Sequence, residues 1–217
     1  TKAFEGTGIE VVGLPTKYPQ GAEKMLIAVL AGKEVPSGGL PMDVGVVVQN
    51  VGTVIAIADA VCKGIPVIER VTTISGGAIK EPKNLLLRVG TTFQDAIEYC
   101  GGFSKTPEKV ISGGPMMGFA QSNINVSIIK GSSGILALSK EDVNSGKESA
   151  CIRCGRCLEA CPMGLNPSML SILGERGLFE EAKEEFNLLD CVECGSCVYG
   201  CPAKRNIVQY IRYSKAQ

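Results

Sequence analysis

The stretch that decides the fold is CIRCGRCLEACP, residues 151–162, which recurs as CVECGSCVYGCP at residues 191–202. Both copies have the spacing C-x2-C-x2-C-x3-C-P, and the second starts 40 residues after the first, since 191 minus 151 is 40. In each copy a proline follows the last cysteine. The repeat indicates one unit built from two similar halves.

This spacing is the ligand pattern of bacterial 4Fe-4S proteins. Three thiolates with two residues between them let a loop wrap one corner of a cubane, while backbone N–H groups of the loop face the sulfides. The fourth cysteine, beside proline, ligates the other cluster in proteins with two clusters. We therefore predict two 4Fe-4S clusters with crossed ligands. The first is assigned to Cys151, Cys154, Cys157 and Cys201, and the second to Cys191, Cys194, Cys197 and Cys161.

Two alternatives account for ten cysteines differently. Paired C-x2-C motifs also bind zinc, but eight cysteines in two identical runs that each end in Cys-Pro favour clusters. A disulfide scaffold requires a small secreted chain with a signal peptide, and the opening residues lack both a basic and an apolar region. Cys62 and Cys100 lie outside any ligand spacing, so we expect both to be buried, unreactive thiols.

The composition excludes several classes of function. Lys and Arg total 22 and Asp and Glu total 22, so charge gives no argument for nucleic-acid binding. The chain has no histidine, which removes the commonest general base and the usual zinc and haem ligand. Its most apolar stretch, residues 44–58, is interrupted by Gln49, Asn50 and Gly52 and is shorter than the roughly 20 residues of a membrane span. We expect no direct membrane span.

Hydrophobic periodicity divides the rest of the chain. An α/β pattern, typical of the later part of a parallel sheet, is predicted as strand 9–12, helix 22–31, strand 44–48, helix 51–62 and strand 65–74. A small α+β unit is predicted as strand 84–89, helix 91–99 and strands 109–112, 124–129 and 134–138. Between the cysteine runs we expect helices at 168–173 and 178–188, an insert typical of α-helical ferredoxins.

Four further motifs occur in order before the cysteine runs: PTKYPQGAEK (15–24), VPSGGLP (35–41), QNVGT (49–53) and SGGPMMG (112–118). With them, the whole chain resembles the family of C subunits of Rnf-type ion-translocating oxidoreductases, relatives of the complex I flavoprotein. The resemblance implies a partial complex I flavoprotein-like α/β region at 1–75 and an α+β, β-grasp module of the soluble-ligand-binding type at 76–138. A linker at 139–149 then leads to an α-helical ferredoxin-type domain with two 4Fe-4S clusters at 150–217.

The resemblance also implies a function. Such a subunit relays electrons between NADH, FMN and ferredoxin-type carriers in a membrane-bound complex that pumps sodium ions or protons. It is peripheral, on the cytoplasmic face of the bacterial inner membrane, and its partners are the other subunits of that complex. Two alternatives are a flavin-linked cobalamin reductase of bacterial microcompartments and a non-catalytic ferredoxin-like adaptor.

Two residues outside the cysteine runs match family site positions. Glu23 matches the second glutamate of a Gly-Glu-Glu motif near the nicotinamide, and Asn50 matches an asparagine that lies against FMN. Without the resemblance, the sequence indicates a surface carboxylate at Glu23 and a strand-end turn or helix cap at Asn50. Ala22 replaces the first glutamate, and the family's Gly-Gly-Ala-Gly-Phe-Pro flavin loop is absent. We therefore expect a carboxy-terminal part of a longer subunit that holds neither FMN nor NADH by itself and has no catalytic residue.

Overall fold

The computed structural model describes residues 2–143 and 146–217. Its helices are α1 Glu23–Ala31, α2 Val51–Lys63, α3 Phe93–Tyr99, α4 Arg156–Glu159, α5 Pro167–Arg176, α6 Phe179–Glu184, α7 Ser196–Tyr199 and α8 Ile207–Lys215. Its strands are β1 Glu69–Ser75, β2 Lys83–Arg88, β3 Lys109–Ser112, β4 Phe119–Gln121 and β5 Gly134–Leu138. Single 3-10 turns form at Lys2–Phe4, Pro41–Val44 and Leu188–Asp190.

The first 68 residues contain the two predicted helices, but the two predicted strands at 9–12 and 44–48 are wrong. Asn50 caps α2 by accepting a hydrogen bond from the Gly52 N–H at 2.9 Å, and Gly64 ends the helix with a left-handed φ of 68°. The strands do not form because no described segment lies beside them to complete a ladder. Their apolar side chains stay exposed, as at Val47, which is 72% exposed.

A five-stranded mixed sheet follows, in the order β2-β1-β5-β3-β4. β1 pairs antiparallel with β2 and parallel with β5, while β3 pairs antiparallel with both β5 and β4. The strand predicted at 65–74 forms as β1, but it belongs to this mixed sheet and not to the parallel sheet that the sequence predicts. The parallel β1–β5 pair brings residues that are about 60 positions apart in sequence into register, as at Ile74 and Ile135.

The core of this sheet unit lies between the sheet and α3. Ile74, Phe93, Ile97 and Ile135 are each at most 2% exposed. Thr92 caps α3 by accepting a hydrogen bond from the Asp95 N–H at 3.0 Å. The strand predicted at 124–129 is wrong, and the sequence also missed β4. The carbonyls of residues 124 and 126 instead accept hydrogen bonds from the first turn of α3, so this backbone is unavailable to the sheet.

The predicted linker, residues 139–149, begins as an ordered turn, and its Asn144 and Ser145 lie outside the described residues. Ser139 is 1% exposed, and its N–H donates to Asp142 Oδ2 at 2.9 Å. The Lys105 ammonium donates to Glu141 Oε2 at 2.7 Å, and the Ser139 hydroxyl donates to the same oxygen at 2.7 Å. These contacts tie the start of the segment to the sheet unit.

A pH titration of the Glu141 carboxyl should detect the contacts of this turn. The hydrogen bond from Lys105, followed by that from Ser139, lowers the pKa of Glu141 from 4.5 to about 2. Because the pKa of Glu141 is lower in the folded chain than in the unfolded chain, the carboxylate stabilises the fold fully at pH values above its unfolded pKa. This stabilisation is lost as the pH falls toward 2. We expect Lys105→Met to raise the pKa of Glu141, measured by carboxylate NMR, and Lys109→Met, on β3, to leave it unchanged. A wild-type midpoint near 4.5 would contradict the contact.

The carboxy-terminal region is a helical unit in which α5 packs against α8. Leu170, Leu173, Ile207 and Ile211 are each at most 3% exposed and form its core with Leu188. Asn166 caps α5, and Pro167 occupies its first position. α6 is shorter than the predicted helix 178–188, because Asn187 adopts a left-handed φ of 51° and a 3-10 turn follows. None of the helices in the described ranges is both long and apolar enough for a membrane span.

Candidate metal centres

The two cysteine runs adopt the same backbone path. Arg153 and Gly155 have φ angles of 56° and 78°, and Glu193 and Gly195, 40 residues on, have 55° and 81°. A left-handed φ at a residue with a side chain is uncommon and persists only where the surroundings impose it. In each run this loop leads into a one-turn helix, α4 in the first run and α7 in the second. In the second run the Glu193 N–H donates to Cys191 Sγ at 3.4 Å, so backbone N–H groups do face the thiols.

The first cavity contains cysteines from both runs. Three come from the first run and one from the end of the second: Cys151, Cys154, Cys157 and Cys201. Cys154 is exposed, Cys157 is buried, and the other two are half-buried. This cavity is also lined by two arginines, Arg153 and Arg205.

The second cavity is lined by the reciprocal set of cysteines: Cys191, Cys194, Cys197 and Cys161. Burial, followed by the negative charges of Cys191, Cys194 and Cys161, raises the pKa of the Cys197 thiol to about 12. Such repulsion acts at short range in a low-dielectric site, so Cys161 lies close to the thiols of the other run. The structure thus brings together the same two quartets that the sequence groups.

The cysteines surround each cavity without meeting at one point. Within residues 2–143 and 146–217, no three His, Cys, Asp or Glu side chains are placed to hold a single metal ion. The donor set is otherwise suited to a cluster. It offers four thiols to each cavity and an N–H directed at a cysteine sulfur, as bacterial 4Fe-4S loops do.

Residues that precede the cysteine runs contact the second run, and the sequence did not predict these contacts. The Tyr18 hydroxyl donates to the Cys194 carbonyl, and Lys24 lies 3.6 Å from the Asp190 carboxylate. From α8, the Arg212 guanidinium donates to the Met117 carbonyl at 3.1 Å, which ties the helical unit to the turn at residues 113–118. Tyr18, Lys24 and Met117 lie in the motifs at residues 15–24 and 112–118, but a motif does not indicate which distant residues it contacts.

Glu23 and Asn50 line neither cysteine cavity. Glu23 is exposed at the first turn of α1. Asn50 is exposed, and its side-chain oxygen caps α2. Within this structure both have the local roles that the residues alone suggest, and their place near flavin and nicotinamide stays a prediction.

The two lone cysteines differ in exposure. Cys100 is fully buried, and burial raises the pKa of its thiol, as expected for an unreactive group. Cys62 is exposed near the end of α2, so the expectation that it is buried was wrong. The reason is that α2 has no described neighbour over its apolar face, where Val61 is 80% exposed.

Thiol labelling should separate these two cysteines. We expect iodoacetamide to modify Cys62 in the folded, cluster-loaded chain within minutes and to leave Cys100 unmodified, as mapped by mass spectrometry. In denaturant both should react. Equal protection of Cys62 and Cys100 in the native chain would show that α2 is covered.

Three protein families match successive parts of the chain. Residues 1–59 match the Nuo51 FMN-binding domain, residues 71–120 the SLBB domain, and residues 144–202 the 4Fe-4S dicluster domain. Together with the paired cysteine cavities, these matches place the chain in the class of iron–sulfur electron-transfer proteins with two 4Fe-4S clusters.

Similar curated proteins specify the family. The chain is 78% identical, over 100% of its length, to the C subunit of a proton-translocating ferredoxin:NAD(+) oxidoreductase complex from Clostridium ljungdahlii. It is 51% identical, over 96%, to the C subunit of the Na(+)-translocating complex from Acetobacterium woodii. The chain spans about half the length of these relatives, 47% of each. Over this shared region the chain belongs to the family of C subunits of ion-translocating ferredoxin:NAD(+) oxidoreductase complexes.

Proposed function

We propose that this chain relays electrons through two 4Fe-4S clusters in a membrane-associated, ion-translocating ferredoxin:NAD oxidoreductase. The observation that carries the proposal is the crossed composition of the cavities. Each is lined by the three closely spaced cysteines of one run and the last cysteine of the other. A ligand set that crosses between the two halves in this way would hold two clusters side by side within one helical unit.

Cys151, Cys154, Cys157 and Cys201 would hold the first cluster, and Cys191, Cys194, Cys197 and Cys161 the second. Each cluster, when bound, supplies a site that accepts and returns one electron. The protein's own residues hold the thiols in place and exclude water. Leu170 and Ile211, each fully buried, line the second cavity and keep it apolar. No catalytic residue is proposed, because electron relay requires no proton transfer or nucleophile from the chain.

The remaining regions fit the same role. We propose that residues 1–75 are the later part of a complex I flavoprotein-like region, and that residues 76–138 form a β-grasp module. Residues 139–149 link it to the ferredoxin-type domain at 150–217. The matches of residues 1–59 to the Nuo51 FMN-binding family and of residues 71–120 to the SLBB family support this order of regions. At the end of the first region, β1 pairs with the sheet of the second. We further propose that FMN and NADH bind to the full-length subunit near Glu23 and Asn50, and that this chain alone holds neither.

The partners we propose are the other subunits of the membrane complex and ferredoxin-type carriers, with the subunit peripheral on the cytoplasmic face of the inner membrane. The names of the two relatives support this, since both describe subunits of translocating complexes. The pumped ion differs between those two names, so either a proton or a sodium ion fits this chain.

NADH-driven reduction of the clusters tests this function. The full-length subunit is reconstituted with FMN, iron and sulfide, and NADH is added anaerobically. We expect electron paramagnetic resonance (EPR) signals of reduced clusters to appear, and Cys201→Ala to weaken them. Cys62→Ala, which alters a cysteine outside both cavities, is the matched control. Clusters that dithionite reduces but NADH leaves oxidised would contradict the relay.

A further inference from the structure

The 40-residue repeat allows the two cavities to be compared position by position. The fourth residue after the last cysteine is Leu165 in the first run and Arg205 in the second. Because the ligands cross, Leu165 lines the second cavity and Arg205 lines the first. At this repeat position the first cavity is therefore lined by a guanidinium and the second by an alkyl side chain.

The same contrast holds at two more pairs of positions. Ser168 and Ser171 line the first cavity, whereas Val208 and Ile211, 40 residues later, line the second. The first cavity is therefore polar at each of these repeat positions and the second is apolar. Among the described residues that line the second cavity, none carries a charged side chain.

Arg205 is unusually buried for an arginine, with 8% of its surface exposed. One guanidinium nitrogen, Nη2, donates to Glu175 Oε2 at 2.7 Å, and Nη1 lies 3.7 Å from Glu148 Oε1. The Arg205 Nε–H, however, has no hydrogen-bond acceptor in the described part of the chain. A buried donor without an acceptor is costly, so its presence beside a cavity that fits a sulfide-bearing cluster points to a partner in that cavity.

The carboxylates do not cancel this charge at the cavity. The side chains of Glu175 and Glu148 are 47% and 30% exposed, against 10% for Arg205, and neither carboxylate lines the cavity. Water screens the exposed carboxylates more strongly than the buried guanidinium. The hydrogen bond to Glu175 raises the pKa of Arg205, so the side chain stays cationic.

A cation and an N–H donor both stabilise the reduced form of a cluster, because reduction adds a negative charge. We infer that Arg205 raises the reduction potential of the first cluster. An electron shared between the two clusters would then reside preferentially on the first. The inference rests on the proposed function, since it requires that both clusters bind. Among the described cations near the second run, Arg212 and Lys215 share the carboxylate of Glu193, and Lys24 lies 3.6 Å from the Asp190 carboxylate. None of the three lines the second cavity.

Arg205→Leu, which copies Leu165 of the other half, tests this inference. The anaerobically purified, cluster-loaded chain is titrated with redox mediators, and each cluster is followed by EPR. Signals are assigned with Cys161→Ala and Cys201→Ala. We expect R205L to reduce the equilibrium constant for reducing the first cluster about tenfold, which is about 59 mV for one electron. The second cluster should keep its potential.

Matched variants separate a charge effect from a structural one. Arg153→Leu removes an exposed cation from the same cavity and should change that equilibrium constant less than threefold. Arg205→Lys, which keeps the charge, should retain most of the potential. Glu175→Gln removes the paired carboxylate and should shift the potential in the opposite direction, upward.

The outcomes are distinct. If the clusters are present and R205L leaves the equilibrium constant of the first cluster within threefold of wild type, the inference is overturned. If R205L fails to hold the first cluster, the E175Q and R205K titrations decide, and an unchanged or lower potential in E175Q overturns it. If the wild-type chain binds no cluster, the proposed function itself fails.

Discussion

Cys161→Ala should remove one of the two clusters, and the lost cluster should be that of the other cysteine run. Cys161 lines the cavity of Cys191, Cys194 and Cys197, so removing its thiol leaves three ligands there and four in the first cavity. Iron should fall from about eight to about four per chain, since each cluster contains four. A single substitution outside the two cysteine quartets should have a smaller effect on the iron content.

Alkylation identifies which cluster is lost. In Cys161→Ala we expect native-state labelling at Cys191, Cys194 and Cys197, with Cys151, Cys154, Cys157 and Cys201 still protected. Cys201→Ala should give the reciprocal pattern, and Cys62→Ala should change neither cluster. If the cysteines of the first run become labelled in Cys161→Ala, each run binds its own cluster and the ligands do not cross.

Gly195→Ala should destabilise the chain far more than Gly155→Ala, although the two glycines have equivalent positions. Both adopt left-handed φ angles, 81° and 78°, so both substitutions cost about 1 kcal/mol in backbone strain. An added Cβ at Gly195 would lie 2.7 Å from the Met116 carbonyl oxygen, whereas at Gly155 it would meet no atom within 4 Å. The turn at residues 113–118 must then move away from the second cysteine loop.

We expect this additional clash to cost about 2 kcal/mol or more. Thermal loss of cluster absorbance measures it, and the midpoint for Gly195→Ala should lie roughly 4–8 °C below that for Gly155→Ala. Gly195→Ala should also release the second cluster before the first. Equal midpoints would show that the turn does not pack on the second run.

The grouping of the cysteines around two cavities could be predicted from the repeated spacing and from the crossed ligands of two-cluster proteins, and their role as cluster ligands stays a prediction. Four thiols at fixed intervals, twice, specify both the loop conformation and which halves must meet, and Cys161 and Cys201 lie in the cavities that the crossed assignment requires. The helices α1 and α2 could also be predicted, since caps such as Asn50 and Gly64 act through local hydrogen bonds and φ angles.

The strands were less predictable, because a strand exists only through its partner. Residues 9–12 and 44–48 have strand-like composition but pair with no described strand, while residues 124–129 bond to the first turn of α3. β1 was found by its composition, yet its antiparallel pairing with β2 depends on the whole sheet. Such pairings are non-local, and composition does not report them.

The surroundings of the cavities were the least predictable part. The contact of Tyr18 with Cys194 spans 176 positions and leaves no pattern in the sequence. Arg205 did carry a signal, since the repeat aligns it with Leu165, but only the structure shows that both positions face a cavity. The sequence repeat thus predicts the ligands. The role of a residue that differs between the two halves, such as Arg205, can be inferred only when the structure shows which cavity it lines.

The metal content of the anaerobically purified chain tests the central claim most directly. Iron, acid-labile sulfide and zinc are measured per chain, with Mössbauer spectroscopy to identify the iron. Two 4Fe-4S clusters predict about eight iron and about eight sulfide, with no stoichiometric zinc. Two zinc ions per chain and no sulfide would contradict the account, because zinc bound to thiols cannot relay an electron.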